Sequence, residues 1–331
     1  MKAVLVEGPG RAELTTVPDP TPADDEIVVA VGGCGICGTD LHILEHGLPT
    51  APYPLVPGHE PWGRVVALGR DVRAHAIGDR VAVDPSLHCG RCRYCRRGRG
   101  NLCESWGAIG ATRRGAWAEY VAAPAANAYP LAESVSDEAA ALTEPVACAL
   151  RGIERLAPEP GDDVVVFGAG TMGLLLAQLL VAGGAGAVTL VEPNAARRRF
   201  ATEVCGLRAV DVDYEAAPVP AVIDATGTPA ALAAALEAVE RGGSLLVFGV
   251  AAPDLELAVS PFRIYNEELR IVGSMAIVDS FGRAVEVVAE HDEALGRLVT
   301  HHVALDAFDQ ALDHLRDGTA VKVVLSGVGD R

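Results

Sequence analysis

The sequence has few aromatic residues, few cysteines and far fewer basic than acidic side chains. Its 331 residues include 27 Lys and Arg against 44 Asp and Glu, a formal charge of −17, and only Lys2 and Lys322 are lysines. Because this charge repels a phosphate backbone, we expect no sequence-independent binding to nucleic acid. Eight cysteines are too few for a disulfide scaffold in a chain of this length. Half of the residues are apolar and 21% are charged, so the chain is globular, and its length predicts two domains.

The chain also lacks a segment that marks it for export or for a membrane. Its first residues, MKAVLVEGPG, hold no apolar core long enough for a signal peptide, so we expect a reducing cytoplasm. The uncharged run 164–191 is long enough to cross a bilayer, but it holds six glycines and stops at Glu192. Its pattern is that of strand, turn, helix and strand, and we therefore predict no membrane partner.

The character of the chain changes near residue 136. Before it, short β-type runs lie next to Gly, Pro or Asp and predict a compact β-rich domain. These runs are 27–31, 63–68, 80–83 and 118–122.

After this point the pattern predicts helices and alternating strands. The segment SDEAAALTEPVACALRGIERL predicts one helix with Ser136 as its N-cap. Four apolar runs then alternate with candidate helices, which predicts βαβ units and a parallel sheet. The candidate helices are 171–182, 195–205 and 229–240, and a further helix is expected near 305–315 in a short mixed tail.

The hexapeptide GAGTMG at 168–173 follows an apolar run and opens an apolar helix, as in a dinucleotide-binding GxGxxG loop. Gly168 permits the tight turn, Gly170 lets the backbone approach a pyrophosphate, and Gly173 allows close packing of helix and strand. The N–H groups at the helix start then face the phosphates.

Glu192, 19 residues past Gly173, ends the next predicted strand. A carboxylate there accepts hydrogen bonds from ribose hydroxyls and repels a 2′-phosphate, which favours NAD over NADP. The run of arginines at 197–199 could instead hold that phosphate, and a Rossmann-like fold without a nucleotide is the remaining alternative. The candidate cofactor-binding residues are Gly168, Gly170, Thr171, Met172, Gly173, Glu192, Arg197, Thr226 and Val250.

Four cysteines lie at a spacing that suits a closed tetrahedral zinc site, which would be structural. They are Cys89, Cys92, Cys95 and Cys103. A CxxC redox pair would need only two of them. The arginines of the same loop could belong to a nucleic-acid-binding zinc knuckle, or they could offset the −2 charge of a zinc ion with four thiolates. The negative charge of the whole chain favours the second explanation. These arginines are Arg91, Arg93, Arg96, Arg97 and Arg99.

Cys37, His59 and Glu144 form a candidate second metal site. One Cys, one His and one Glu would leave a fourth coordination position for water or substrate, the pattern of a catalytic zinc. Spacing alone does not bring them together, since they span 107 residues. A lone histidine is more often structural.

Together these motifs resemble the zinc-dependent medium-chain alcohol/polyol dehydrogenase family, of the sorbitol and threonine dehydrogenase type. The matching motifs, in the family's order, are CGTDxH from Cys37, GHExxG from Gly58, the four-cysteine lobe at 86–104, GAWAEYV from Gly115, Glu144-Pro145 and GxGxxG from Gly168. The resemblance covers nearly the whole chain. It implies an α/β protein with a GroES-like β-rich catalytic domain at 1–146, a Rossmann doubly wound parallel sheet at 147–276, and a C-terminal segment at 277–331 that returns to the catalytic domain.

The resemblance also implies a role for each site residue. Cys37, His59 and Glu144 match the ligands of a catalytic zinc. Glu60 matches a glutamate beside that metal, and Asp40 the carboxylate that orients the ligand histidine. The four-cysteine cluster matches a structural zinc.

By the same resemblance, Thr39 and His42 relay the substrate proton to solvent, and Glu192 and Arg197 contact the adenosine ribose. An acidic third ligand is typical of sorbitol and threonine dehydrogenases, so Glu144 favours a polyol, sugar, cyclitol or amino alcohol over ethanol. Cys148, one helical turn later, is an alternative ligand.

Other positions match no ligand or depart from the family pattern. Cys34 and Cys205 are interpreted as buried structural thiols. Pro61, Trp62 and Ala116 differ from the usual residues around a region that shapes the pocket, so the substrate stays open. The pair at 113–114, both arginines, either binds an anionic substrate or forms a solvated turn.

We therefore expect reversible oxidation of a secondary alcohol to a ketone by hydride transfer to NAD, with two zinc ions per chain. The alternatives are a zinc-independent reductase, a non-enzymatic NAD- or zinc-binding sensor, and a dedicated biosynthetic cyclitol or aminocyclitol dehydrogenase. We expect a homodimer or homotetramer, for which the exposed edge of the Rossmann sheet is a natural pairing surface. The expected catalytic residues are Cys37, Thr39, His42, His59, Glu60 and Glu144.

Overall fold

A computed structural model describes residues 1–47, 51–214, 217–318 and 320–327. Contacts divide the chain into two compact units, the first made of Met1–Ala147 and Ile277–Arg331 and the second of Cys148–Ala276. One unit is β-rich and the other is built on a parallel sheet, so the predicted α/β class is confirmed.

The bounds of the elements in the described ranges are as follows. The strands are β1 (Lys2–Gly8), β2 (Arg11–Thr16), β3 (Glu26–Gly35), β4 (Glu60–Leu68), β5 (Arg80–Val83), β6 (Ser86–Leu87), β7 (Gly107–Ala108), β8 (Tyr120–Pro124), β9 (Ala128–Pro130), β10 (Val164–Phe167), β11 (Val188–Val191), β12 (Arg208–Val210), β13 (Val219–Asp224), β14 (Val239–Val247), β15 (Arg270–Gly273), β16 (Val299–Ala304) and β17 (Lys322–Ser326). The α-helices are α1 (Gly38–Glu45), α2 (Asp137–Ala140), α3 (Thr143–Leu156), α4 (Thr171–Ala182), α5 (Ala195–Glu203), α6 (Pro229–Glu237), α7 (Pro261–Glu267), α8 (Phe281–Glu290), α9 (Asp292–Gly296) and α10 (Phe308–Arg316).

The first unit is built around β3, the strand on which the largest sheet is centred. The sheet runs in the order β16-β17-β3-β4-β5-β9, and β8 also pairs with β3. β3 pairs antiparallel with β4, β8 and the C-terminal strand β17. Its side chains Ile27, Val29 and Val31 are fully buried in the core of this unit, as expected for a central strand rich in β-branched residues.

The second unit is a parallel sheet with the order β12-β11-β10-β13-β14-β15. Numbered from the first strand of the unit this is 3-2-1-4-5-6, the order of a doubly wound dinucleotide fold. The order reverses between β10 and β13, and ligands bind such sheets at the carboxyl ends of the strands on either side of that reversal. The glycine loop follows β10 at this point.

The uncharged run 164–191 forms β10, α4 and β11, as predicted. In the described ranges, no helix is long and apolar enough to span a membrane.

The predicted single helix after Ser136 is wrong, because the structure divides it into α2 and α3. Ser136 is the N-cap of α2, and its Oγ accepts the N–H of Ala139 at 3.1 Å. In a continuous helix the nitrogen of Pro145 would have to donate to the carbonyl of Ala141, and proline has no N–H to do so. Proline is tolerated in a first helical turn, so the chain begins a new helix at Thr143.

Several other boundaries differ from the predicted ones by a few residues. The helix predicted at 195–205 ends at Glu203, and Gly206 follows in the left-handed region at φ 67°. The helix predicted at 229–240 ends at Glu237, because Val239 already belongs to β14. α10 begins at Phe308, after a short 3₁₀ turn, rather than near residue 305.

Candidate metal centres and dinucleotide site

Ligand atoms of Cys37, His59 and Glu60 lie within 4.8 Å of one another in the first unit. Cys37 precedes the first residue of α1, and Glu60 begins β4. Gly35, the last residue of β3, pairs with Glu60 in the sheet, so the strand register brings these two segments together. Thiolate, imidazole and carboxylate are donors that zinc prefers, and these residues therefore fit a zinc ion.

Asp40 organises this centre from a completely buried position. Its Oδ2 accepts the backbone N–H of Cys37 at 2.9 Å, and its Oδ1 accepts that of Gly58 at 3.2 Å. Oδ1 also lies 3.3 Å from Nδ1 of His59. This contact leaves Nε2 of His59 as the nitrogen for a metal, which is the usual arrangement of a carboxylate behind a ligand histidine.

The charge of Asp40 also acts on the His59 imidazole. Burial lowers the pKa of His59, but Asp40 and Cys37 together outweigh burial, and the net shift of the pKa is well upward. Cys37 contributes to this rise. The imidazole thus lies in a strongly negative environment, which suits a divalent cation.

Lys322 is the cation that faces this negative environment, and sequence analysis did not assign it to the site. Its ammonium pairs with Oε2 of Glu60 and donates to the carbonyl of Ile36 at 3.1 Å. Burial lowers the pKa of Lys322, whereas Glu60, Cys37 and Glu144 raise it, and the net shift is upward. The available signal was the scarcity of lysine in the chain, which does not by itself indicate a site.

Glu144 lies half-buried in the first turn of α3. In the described ranges it is not a member of the group formed by Cys37, His59 and Glu60. It is nevertheless close enough to raise the pKa of Lys322. Its assignment as the third ligand stays a prediction, as does that of the half-buried Cys148 on the same helix.

The two residues of the predicted relay lie on α1. The Oγ1 of Thr39 lies 3.8 Å from the sulfur of Cys37, and the side chain is half-buried. His42 is exposed and packs edge-on against His46, with ring centroids 5.2 Å apart. The helix therefore carries one polar group next to the metal centre and a second one at the solvent.

Other residues singled out in the sequence lie elsewhere in the two units. Arg113 pairs with Glu26 at 2.6 Å, and Arg114 is exposed. Cys34 is fully buried, and burial raises the pKa of its thiol. Cys205 is half-buried in the second unit.

The four-cysteine cluster forms in the loop between β6 and β7, which pair with each other and close its base. The sulfur atoms of the four cysteines all lie within 4.8 Å of one another. The distance is 3.5 Å between Cys92 and Cys95 and 4.0 Å between Cys89 and Cys95. Four thiolates around zinc at about 2.3 Å would lie about 3.8 Å apart, so the cluster fits a tetrahedral zinc ion.

Backbone N–H groups point at these sulfur atoms. The N–H of Cys92 donates to Cys89 at 3.4 Å, and that of Ser105 donates to Cys103 at 3.3 Å. Such contacts from Cys95 and Glu104 lower the pKa of Cys92 to about 6, while desolvation and the neighbouring thiols raise the pKa of Cys95 to about 12. Without a cation the four sulfurs cannot all be ionised together.

The glycine loop of the second unit has the backbone that a pyrophosphate requires. Gly168 adopts φ 101°, and a Cβ on Gly173 would overlap the carbonyl oxygen of Gly168. A Cβ on Gly170 would meet nothing within 4 Å, so the space beside it is open to a ligand. The first turn of α4, Thr171 and Met172, is half-buried. This geometry fits a bound dinucleotide.

Glu192 follows β11 and is 4% exposed. Its Oε2 accepts the N–H of Ala169 in the glycine loop at 2.8 Å, and its Oε1 accepts that of Asn194 at 2.9 Å. Among the described residues, no group forms a hydrogen bond with the buried Nε of Arg197, the kind of donor that a ligand can satisfy. Arg198 is instead occupied by Asp211, at 2.7 Å.

Asp224 is a further residue of this region that the sequence analysis missed. It ends β13, is completely buried, and accepts the N–H and the hydroxyl of Thr226, the latter at 2.7 Å. Asp224 thereby positions the predicted contact Thr226 at the carboxyl end of the sheet. Val250, in the loop after β14, is 90% exposed. The sequence does not distinguish Asp224 from other aspartates at the ends of strands, so no pattern indicated its role.

Comparisons with known proteins identify both units. Residues 23–133 match the alcohol dehydrogenase GroES-like domain, and residues 137–326 match the glucose dehydrogenase C-terminus. D-arabinitol dehydrogenase 1 of Uromyces fabae is 34% identical, over 98% of this chain and 97% of the relative. D-altritol 5-dehydrogenase of Agrobacterium fabrum is 35% identical, over 92% and 93%. L-threonine 3-dehydrogenase of Aeromonas hydrophila is 31% identical, over 95% of each chain.

Solved structures with the same fold hold both kinds of nicotinamide dinucleotide. A zinc-binding dehydrogenase from Sinorhizobium meliloti 1021 bound to NADP has a TM-score of 0.92 and 34% identity, with 98% of each chain covered. An alcohol dehydrogenase from E. coli CFT073 in complex with NADH has a TM-score of 0.91 and 28% identity, with 98% of this chain and 99% of the other covered.

The GroES-like unit, the parallel-sheet unit and these relatives define a zinc-dependent dehydrogenase, and the expected fold class is confirmed. The chain belongs to the zinc-dependent medium-chain alcohol/polyol dehydrogenase family.

Proposed function

We propose that this dehydrogenase interconverts a secondary alcohol and its ketone, and that the alcohol is a polyol, a sugar, a cyclitol or an amino alcohol. The observation that carries the proposal is the convergence of Cys37, His59 and Glu60 around one point, with Asp40 behind the histidine. Relatives named for D-arabinitol, D-altritol and L-threonine support an alcohol of this class.

A zinc ion held at this centre supplies a Lewis acid that lowers the pKa of the substrate hydroxyl, and a nicotinamide supplies the hydride acceptor. Cys37 and His59 hold the ion, together with a carboxylate from Glu144 or Glu60. Asp40, whose Oδ1 lies 3.3 Å from Nδ1, would hold the His59 ring with Nε2 toward the ion.

Thr39 and His42 move the proton. The Oγ1 of Thr39 would accept the proton of the substrate hydroxyl as the Thr39 hydroxyl gives up its own proton toward the His42 ring. His42, exposed on the next turn of α1, receives a proton on its ring and releases it to solvent. The half-buried position of Thr39 and the exposure of His42 support this order.

We further propose NAD as the dinucleotide. The Glu192 carboxylate lies against the glycine loop through Ala169, where it would repel a 2′-phosphate. Arg198 is already paired with Asp211 and bonded to the carbonyl of Glu192, so it is not poised for a phosphate. In Glu192→Gln we expect the preference for NAD over NADP, as a ratio of kcat/KM, to fall about tenfold, the equivalent of 1.4 kcal/mol.

The reaction is tested by NADH formation at 340 nm from NAD and a pool of polyols, sugars, cyclitols, threonine and simple alcohols. We expect a signal from the zinc-loaded protein, and division of the pool then identifies the substrate. Cys37→Ser should abolish turnover while NAD binding survives, and near-full activity in that variant would overturn the proposal.

Metal analysis tests the ligand set independently of turnover. We propose two zinc ions per chain, and expect one in Cys37→Ser and one in Cys92→Ser. Glu144→Gln and Glu60→Gln distinguish the two candidate carboxylates, since only the ligand's variant should lose zinc at the Cys37 centre. Cys148→Ser is the matched control and should keep both ions; loss of one would make Cys148 a ligand.

A further inference from the structure

Lys322 forms a buried ion pair at the edge of the candidate catalytic centre. Its ammonium pairs with Glu60 Oε2, both side chains are only 2% exposed, and the carbonyl of Ile36 accepts a second bond from it. Removing two charges from water costs as much as their attraction returns, so such a pair is weak evidence for a stabilising role. Its position beside candidate metal ligands suggests a role in the chemistry instead.

Three neighbouring strands build this pair. Val324 of β17 pairs with Gly35 of β3, and Gly35 pairs with Glu60 of β4. A Cβ on Gly35 would overlap Glu60 Oε2 and would lie 2.6 Å from Cε of Lys322. The absence of a side chain at this one position therefore makes room for the pair, and the C-terminal strand delivers the cation.

The choice of lysine is itself informative. All but two of the 27 basic residues in the chain are arginines, and the other lysine, Lys2, is exposed. An ammonium is compact and can point its donors at a carboxylate and a carbonyl at once, whereas a planar guanidinium needs more room and a bidentate partner. The confined space beside Gly35 suits the ammonium.

We propose that Lys322 is a positioning residue that competes with the metal for Glu60; the inference rests on the metal centre proposed above, with Glu144 rather than Glu60 as its third ligand. By holding Oε2, the ammonium keeps this carboxylate from becoming a full ligand and leaves a coordination position for the substrate. It also offsets negative charge from Cys37 and Glu144, which would otherwise weaken the metal as a Lewis acid.

Co(II) is the probe, loaded into the Cys37 centre while zinc remains on the four cysteines. In Lys322→Met the carboxylate of Glu60 is released to the metal. We expect the visible d–d bands of Co(II) to weaken as the coordination number rises, and a chelator to remove Co(II) about tenfold more slowly than from the parent protein. We also expect kcat to fall while the KM for NAD stays unchanged.

A second variant keeps the test decisive if Lys322→Met is poorly folded. Lys322→Met combined with Glu60→Gln removes both charges of the buried pair and leaves no strong ligand at residue 60, so Co(II) should be released at least as fast as from the parent.

The outcomes separate this inference from the proposed function. If the parent protein binds no Co(II) at the Cys37 centre, the proposed function and this inference both fail. If the parent binds Co(II) but Lys322→Met shows the same spectrum and release rate, only the inference fails. Slow release from the double variant would also overturn it, because Glu60 would not then be the added ligand.

Discussion

At the scale of single residues, the candidate metal centre depends on a side chain that is not itself a candidate ligand. Asp40 binds the backbone of Cys37 and of Gly58 and faces the His59 ring, so one buried carboxylate holds two separate chain segments in register. Such a partner is needed because a ligand histidine free to rotate would lose much of its affinity for the ion.

Asp40→Asn tests this role. The amide keeps one acceptor oxygen but loses the charge, so we expect zinc affinity at the Cys37 centre to fall about 10–100-fold. Competition with a chromophoric chelator measures the change, and NAD binding should be unaffected. Asp79→Asn is the control. Asp79 also accepts a backbone N–H, from Ala76 at 2.8 Å, but it does not contact a candidate metal ligand. Equal zinc affinity in both variants would exclude the role of Asp40.

At the scale of elements, the glycine loop combines a close contact between helix and strand with open space for a ligand. Gly173 is confined by the carbonyl of Gly168, whereas a Cβ on Gly170 would meet nothing within 4 Å. Gly173 is therefore required by the contact between helix and strand, whereas Gly170 leaves room for a ligand.

Two substitutions separate these two roles. Gly173→Ala forces the loop and α4 apart, so we expect a loss of about 1–3 kcal/mol in the free energy of unfolding even without dinucleotide. Gly170→Ala should weaken NAD binding and lower the melting temperature of the dinucleotide-free protein much less than Gly173→Ala, because it only weakens the N-cap of α4. Thermal unfolding with and without NAD measures both, and equal destabilisation of the two variants without NAD would contradict this division of roles.

At the scale of the whole molecule, the parallel sheet presents an edge at β15. Among the described residues β15 pairs with β14 alone, and Ile271 on this strand is 39% exposed. The nearby α7 exposes Phe262 by 70% and Tyr265 by 81%. An edge strand with unpaired backbone groups and apolar neighbours is a template for pairing with a second copy.

Ile271→Lys tests whether this edge joins two chains. A charge on the edge strand should oppose pairing, so we expect the protein to sediment as a smaller species than the parent. Val181→Lys is the control, since Val181 is also exposed in the same unit, at 52%, but lies on a helix. An unchanged sedimentation coefficient for Ile271→Lys would exclude this edge as the interface.

Local patterns were sufficient for the alternation of strands and helices in the second unit and for the features that lie within one segment, but not for every helix boundary. The glycine loop, the start of α4 at Thr171 and the four-cysteine cluster depend on residues close in sequence, whose geometry is set by backbone conformation and short-range contacts. The break before α3 could also have been recognised, because the missing N–H of Pro145 is a local property.

The pairing of strands that are distant in sequence could not be predicted from local patterns. Glu60 meets Lys322 because β4 and β17 both pair with β3, and no spacing in the sequence encodes that register. In the same way, Asp40 of α1 accepts the N–H of Gly58, a residue 18 positions away in the sequence. The family and the fold class follow from motifs in the sequence, whereas the partners of each buried charge follow from long-range packing, which only the folded chain defines.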